Sequence, residues 1–280
     1  MFKERSYAIF FIYIALVGGT MLLLQASALC QGEDIVPYRN LSDYNWKLFR
    51  EVVPEKVNTV LLVTGTIEAH GVGNNGADYT VPQRLAEMIC RQVNALVAPP
   101  ICYGRTISLT PYPGGITISE PTFKNYVKEV IEGLAKNGFK NIIIINGHGP
   151  NRKPVDEALI EVALKNKVRG MVIDWWSYTS DITQEVFQQD GGHAGINENA
   201  AMLAVHPHLV HKKLYNKHET VVIDPSYTAV PSPAAILLYK KGEGYPNFDE
   251  AQAKEYLRKV ADKLAVLIKE TISKWDKAGL

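Results

Sequence analysis

"KNIIIINGHG", residues 140–149, is the stretch on which the reading of the fold turns. Its β-branched run predicts a strand buried on both faces, because a strand with one wet face alternates apolar and polar residues. The run ends in a Gly-His-Gly turn, where the glycines let the backbone bend sharply and approach a bound group closely. Helical spacing precedes it over 120–138 and follows it over 154–167, and another strand is predicted over 168–176. Upstream, 57–65 is a continuous apolar run of strand length, 81–96 has helical spacing, and 96–104 reads as a strand. Strands alternating with helices imply βαβ units on a mostly parallel sheet. The predicted class is therefore α/β, a three-layer αβα arrangement. Residues 177–192 read as a loop near the sheet's edge, 196–210 as a helix, 221–248 as loop-rich, and 249–275 as a long amphipathic helix packing on the sheet.

The chain has 280 residues, 46% of them hydrophobic, which is enough for a sizeable core. Formal net charge is +1, and the first 28 residues carry Lys3, Glu4 and Arg5, so the remainder is neutral. No basic cluster interleaved with aromatics is present, which argues against a nucleic-acid partner. The N-terminus has a charged head, an apolar run from Ala8 to Leu24, and Ala26-Ser27-Ala28. This is the anatomy of a secretory signal with an A-x-A cleavage site. The expectation is a signal peptide over 1–28 and one domain over 29–280, secreted or periplasmic and without stable membrane insertion after cleavage. Two alternatives stand beside it: an uncleaved anchor, since the run is almost long enough to span a bilayer, and lipidation at Cys30, which the bulky Leu29 disfavours. Cys90 and Cys102 lie in apolar contexts and need no disulfide in a domain of this size.

In open α/β sheets, ligands bind beyond the carboxyl ends of the strands. Glu68 and His70 follow the first strand two residues apart, so an extended backbone points both to the same side. Asp78 lies in the loop leaving that strand, where it could also cap the next helix. His148 follows the isoleucine strand. Imidazole mixed with carboxylate suits Zn, Mn or Fe better than Ca or Mg. Such a site turns water into a nucleophile at neutral pH. Taken singly, each residue has a plain structural reading as a surface acid, a turn histidine or a cap; the combination points to a metal centre.

Three ordered segments, "GTIEAHG…GAD" (65–78), "NGHGPN" (146–151) and "GHAGINENAAMLAV" (192–205), resemble the signatures of the creatininase (creatinine amidohydrolase) family. The resemblance implies an αβα fold, assembly as a homo-oligomer, often a hexamer, and two divalent metal ions per chain that activate water to cleave an amide-type C–N bond. It makes Glu68, His70, Asp78 and His148 metal ligands, with Asp78 bridging. The family's ligand glutamate two residues after the NGH histidine is replaced here by Pro150, so Glu198 becomes the remaining ligand, and creatinine itself is disfavoured as the substrate. The His70–Asp78 segment is one residue short of the pattern, and "GVGNNG" lacks its histidine and proline, which implies a different pocket mouth. His193, in the HAG turn, is the expected catalytic proton carrier to the leaving nitrogen. Trp175 and Trp176 are expected to wall a pocket for a small-molecule amide. His206 and His208 flank a proline beyond the motif and read as structural. The expected function is an exported amidohydrolase acting on a small cyclic amide, formamide or linear amide. The alternative is a binding protein that keeps the fold without catalysis.

Overall fold

The computed structural model describes residues 36–280, so the predicted signal peptide, its cleavage site and Cys30 lie outside the described residues. Tyr38–Leu280 forms one compact unit. A first helix, α1 (Trp46–Val52), has its N-terminal amides capped by the side chain of Asn45. The chain then enters β1 (Thr59–Thr64), α2 (Ala77–Ile89), β2 (Ala95–Val97), α3 (Glu120–Lys136), β3 (Asn141–Asn146), α4 (Arg152–Asn166) and β4 (Arg169–Asp174). The four strands form one parallel sheet in the order β2-β1-β3-β4. Every residue of β1 and β3 is buried, the burial expected of central parallel strands covered on both faces.

After β4 come α5 (Trp175–Tyr178), α6 (Ser180–Phe187), β5 (Gly192–His193), α7 (Ile196–Val205), β6 (Thr220–Val222), β7 (Ile236–Leu238) and α8 (Glu250–Lys277). Helices α2, α7 and α8 cover one face, where Leu61, Val63, Ile143 and Ile145 meet Leu85, Met202, Tyr256 and Val260 in a single core. Helices α3 and α4 pack on each other and against β3 and β4. The three-layer α/β arrangement expected from the alternation is therefore present. Among the described residues no helix is long and apolar enough to cross a membrane.

Several local expectations require correction. Helix α2 begins at Ala77, so Asp78 sits in its first turn rather than in a preceding loop. The second strand stops at Val97, because Pro99 and Pro100 interrupt it, and only an isolated bridge from Ile101 to Thr64 continues the pairing. The fourth strand ends at Asp174, and both tryptophans belong to the short helix α5. The stretch after it is not a loop: α6 buries Thr183 and Phe187, one turn apart on one face. The loop-rich segment also contains β6 and β7, which join β5 in a second sheet of order β5-β7-β6. β5 pairs antiparallel with β7, placing His193 opposite Leu237.

Candidate metal centre

Asp78 is the hub of the site. Its Oδ1 lies 2.8 Å from Nε2 of His70 and its Oδ2 lies 2.8 Å from Nδ1 of His148. Glu68 Oε1 stands 3.2 Å from the same His148 nitrogen, and Glu198 Oε2 stands 3.6 Å from His70 Nε2. All five side chains are buried. Three groups among the described residues could hold a metal, with ligand atoms within 4.8 Å of one another: Glu68–Asp78–His148, His70–Asp78–Glu198 and Glu68–His70–His193. The first two share Asp78, one carboxylate oxygen facing each.

Local backbone chemistry explains why Asp78 is held so firmly. Pro82, inside α2, has no N–H to offer the Asp78 carbonyl four residues earlier. The ends of β1 and β3 abut that first turn instead. A Cβ on Gly147 would fall 1.8 Å from the Asp78 carbonyl oxygen, and one on Gly65 would fall 2.6 Å from it, so only glycine permits this approach. Beneath the site, Asn146 ties three strand ends together. Its amide donates to Asp174 (2.7 Å) and to the His148 carbonyl (2.7 Å), and its oxygen accepts from Thr64 (2.9 Å).

Each histidine is oriented by a carbonyl on its far side. His70 Nδ1 is 3.1 Å from the Glu68 carbonyl, His148 Nε2 is 2.9 Å from the Arg105 carbonyl, and His193 Nε2 is 2.8 Å from the Ala69 carbonyl. An N–H donated there leaves the other ring nitrogen as a lone pair aimed at the carboxylates, the arrangement that metal-binding imidazoles use. Thr106 donates its hydroxyl to Glu68 Oε2, and the Ala194 N–H donates to Glu198 Oε2 at 2.7 Å. Ala194 holds that position at φ +52°, in the left-handed region that non-glycine residues adopt at a cost.

The electrostatics call for cations. Burial alone would keep His70 neutral, yet Asp78, with Glu198 and Glu68, pushes it up to about 10. His148 rises well above the usual imidazole range for the same reason, against its burial, through Glu68 and Asp78. Burial would raise Asp78, but the two imidazoles hold it well below the carboxylate range. Glu198 is pushed up to about 7 by burial, with Asp78 and Glu68 adding to the rise. Protons on the two histidines thus occupy positions that cations would take. His70 Nε2 and Asp78 Oδ2 are also buried without a hydrogen bond, although each has an oppositely charged neighbour. A donor set of imidazoles and carboxylates with orphaned buried atoms and oriented ring nitrogens fits divalent transition ions.

His193 differs from the other two. Burial and the neighbouring His70 hold it below the ordinary imidazole range, and its Nδ1 is 3.5 Å from Glu68 Oε1 and 3.8 Å from Glu198 Oε2. It stands at the edge of the carboxylate cluster and lines a cavity of about 260 Å³ that also reaches Glu68, Asp78, His148 and Glu198. Ile107, Leu109, Ile223 and Leu237 supply apolar walls. Of the two tryptophans, Trp176 lines this cavity, whereas Trp175 is 2% exposed and belongs to the core below the site. Trp175 is therefore corrected from a pocket wall to a core residue. Consecutive residues on α5 point about 100° apart, so the pair cannot share one face. His206 and His208 meet edge to face at 5.5 Å and belong to none of the three ligand groups. Thr106 and Tyr239, a further lining residue, fall within no motif or long periodic element, while Asn146 opens the NGHGPN motif but has a structural role that only its contacts reveal.

Comparison with known proteins places the chain in a family. A family model described as creatininase, creatinine amidohydrolase, matches residues 42–268. Creatinine amidohydrolase of Pseudomonas putida is 24% identical over 234 residues, which span 72% of this chain and 90% of that one. The 3-dehydro-scyllo-inosose hydrolase of Thermotoga maritima is 26% identical over 179 residues, 57% of this chain and 54% of its own length. A crystal structure of creatinine amidohydrolase superposes with a TM-score of 0.71 at 21% identity, covering 83% of this chain and 97% of that one. Creatininase has also been solved in a Mn form and, as a glutamate-to-glutamine mutant, in a Zn–Zn form.

Proposed function

Because the chain belongs to the creatininase (creatinine amidohydrolase) family, hydrolases acting on C–N bonds, we propose that it cleaves a small cyclic amide, formamide or linear amide at a centre of two divalent ions, Zn or Mn, with Fe also compatible. The observation that carries this reading is the shared carboxylate: Asp78 offers one oxygen to the His70–Glu198 side and the other to the Glu68–His148 side. Bound between these groups, the ions supply Lewis acidity that makes water nucleophilic at neutral pH and polarises the substrate carbonyl.

The chain's own residues divide the remaining work. Thr106, the Arg105 carbonyl and the Ala194 N–H hold the ligands in place, so little rearrangement accompanies metal binding. With Nε2–H donated to the Ala69 carbonyl, His193 would keep a lone pair on Nδ1, which suits it to take the proton of the attacking water. As the C–O bond forms and the C–N bond breaks, that proton passes from Nδ1 to the leaving nitrogen. Trp176 and the apolar walls exclude bulk water and offer a flat face to a planar amide. The replacement of the family glutamate by Pro150, which lines the cavity, supports a substrate other than creatinine. The intact ligand groups count against the alternative of a non-catalytic binding protein. The test is a screen of purified protein against small amides and lactams with Zn or Mn added. Turnover that disappears on chelation supports the reading, and a metal-replete protein inert to every amide contradicts it.

We also propose export through residues 1–28, giving a secreted or periplasmic protein that begins at Leu29, and assembly into a homo-oligomer of up to six chains. The A-x-A segment supports the first and family membership the second. N-terminal sequencing of the exported protein and its mass in solution test them; an intact Met1 or a monomer would contradict each.

A further inference from the structure

Two supports of the metal centre stand at consecutive positions of one loop. The Arg105 carbonyl faces His148 Nε2 at 2.9 Å, and the Thr106 hydroxyl donates to Glu68 Oε2. A carbonyl only accepts, so that bond puts the proton on Nε2 and leaves Nδ1 to face Asp78. Both supported ligands belong to the Glu68–Asp78–His148 group. Whatever fixes residues 104–106 therefore fixes one half of the centre.

Asn151 does this. It closes the short turn Gly149–Asn151 that follows His148, and it is 0% exposed. Its side-chain oxygen accepts the Arg105 N–H at 3.0 Å, and its side-chain nitrogen donates to the Gly65 carbonyl, just beyond β1, at 3.0 Å. Its own backbone N–H donates to the His148 carbonyl at 3.2 Å. One residue thus joins the loop, the end of β1 and the histidine that the loop orients. Gly104 makes the room: a Cβ there would fall 2.6 Å from both polar atoms of the Asn151 side chain and 2.5 Å from the Gly65 carbonyl oxygen. The two side-chain partners are backbone groups with fixed roles, one only a donor and one only an acceptor. The position therefore calls for an acceptor and a donor on one short branch, which asparagine supplies.

The other half takes its supports elsewhere. The Glu68 carbonyl orients His70, and the Ala194 N–H donates to Glu198.

We infer that Asn151 is a positioning residue for the Glu68–Asp78–His148 half of the centre, holding residues 104–106 so that His148 presents Nδ1 and Glu68 presents Oε1 to an ion shared with Asp78. This inference rests on the two-ion reading. Ligands oriented in advance need less ordering when the ion arrives, so the support acts on affinity.

The experiment titrates zinc into metal-free wild type and Asn151→Ala, each shown to be folded by circular dichroism, against a competing chelator. One of the two zinc affinities should fall about 10–100-fold in the variant, the scale for losing a partner of a ligand, while the other is little changed. Asn151→Ser, whose shorter side chain cannot bridge Arg105 and Gly65, replaces it if the alanine variant does not fold. Two unchanged affinities overturn the assignment, as do two that weaken together, since general loosening would spare neither half. Failure of both variants to fold would also overturn it, by making Asn151 a structural residue. A wild type that binds no zinc defeats the two-ion reading, and hydrogen exchange of the His148 Nε2–H, followed by NMR, then decides. Faster exchange in the variant than in the wild type keeps Asn151 as the residue that orients His148; equal exchange overturns that role too.

Discussion

Nε2 of His70 lies 2.8 Å from Oδ1 of Asp78, with both side chains buried and no hydrogen bond satisfying that nitrogen. A neutral imidazole with its proton on Nδ1, held by the Glu68 carbonyl, would set a lone pair against a carboxylate. Either a second proton or a metal ion must therefore sit between them. The same choice recurs at His148 and the other oxygen of Asp78. Asp78 is thus the residue on which both halves of the centre depend.

Asp78→Ala should dismantle both Asp78-centred groups, because the remaining pairs, His70 with Glu198 and Glu68 with His148, each lack a third ligand, and Glu68–His70–His193 is left as the three-residue group among the described residues. Metal analysis after dialysis should find at most one ion per chain, and activity should fall to background. Retention of two ions would show that Asp78 does not bridge.

His193→Ala should behave differently. It leaves the Asp78-centred groups intact, so metal content should hold while turnover drops by about 10²–10⁴, the scale of acid–base assistance. Loss of an ion in this variant would reassign His193 as a ligand in the Glu68–His70–His193 group.

The metal-free protein should respond to pH through His70. Its value in the folded state is about 10 against an ordinary 6.5, so the stabilisation from protonated His70 is fully present below about pH 6.5 and is lost as pH rises through about 10. Glu198, raised to about 7 from an ordinary 4.5, acts in the same direction between those two values. Asp78 and Glu68, both lowered, act oppositely and withdraw stability only as the medium becomes acidic. The thermal midpoint of the chelated protein should therefore decline from pH 6.5 to 10, while Zn-loaded protein, whose histidines are already neutral ligands, should show no such decline. Parallel curves for the two forms would contradict this.

Gly147→Ala should be among the most damaging single changes outside the ligand set. The added Cβ would meet the Asp78 carbonyl oxygen at 1.8 Å, a backbone contact that cannot swing aside. Forcing the first turn of α2 away should cost about 3 kcal/mol or more in chemical denaturation and weaken zinc binding in the fraction that folds. Wild-type stability would show that the strand end and helix can separate without penalty.

Much of this was legible in the sequence, for identifiable reasons. β1 and β3 are central and covered on both faces, so they appear as unbroken apolar runs. Glu68, His70, Asp78, His148, His193 and Glu198 fall within three short motifs at strand ends or helix starts. What escaped depends on contacts between distant segments. β7 is three residues long and owes its existence to pairing with β5 and β6, which no local period reveals. Tyr239 and Thr106 reach the site from such segments, Thr106 across 38 residues to Glu68. Trp175 and Trp176 look interchangeable in sequence, and only the turn from strand to helix at Asp174 sends one into the core and the other into the cavity.

The central claim is that two ions, joined through Asp78, drive hydrolysis of a small amide. It is tested most directly by titrating Zn or Mn into metal-free protein while following turnover of an amide identified in the screen. The account predicts activity that emerges fully only as the second equivalent binds and vanishes on chelation. Full activity at one equivalent, or turnover indifferent to metal, would contradict it.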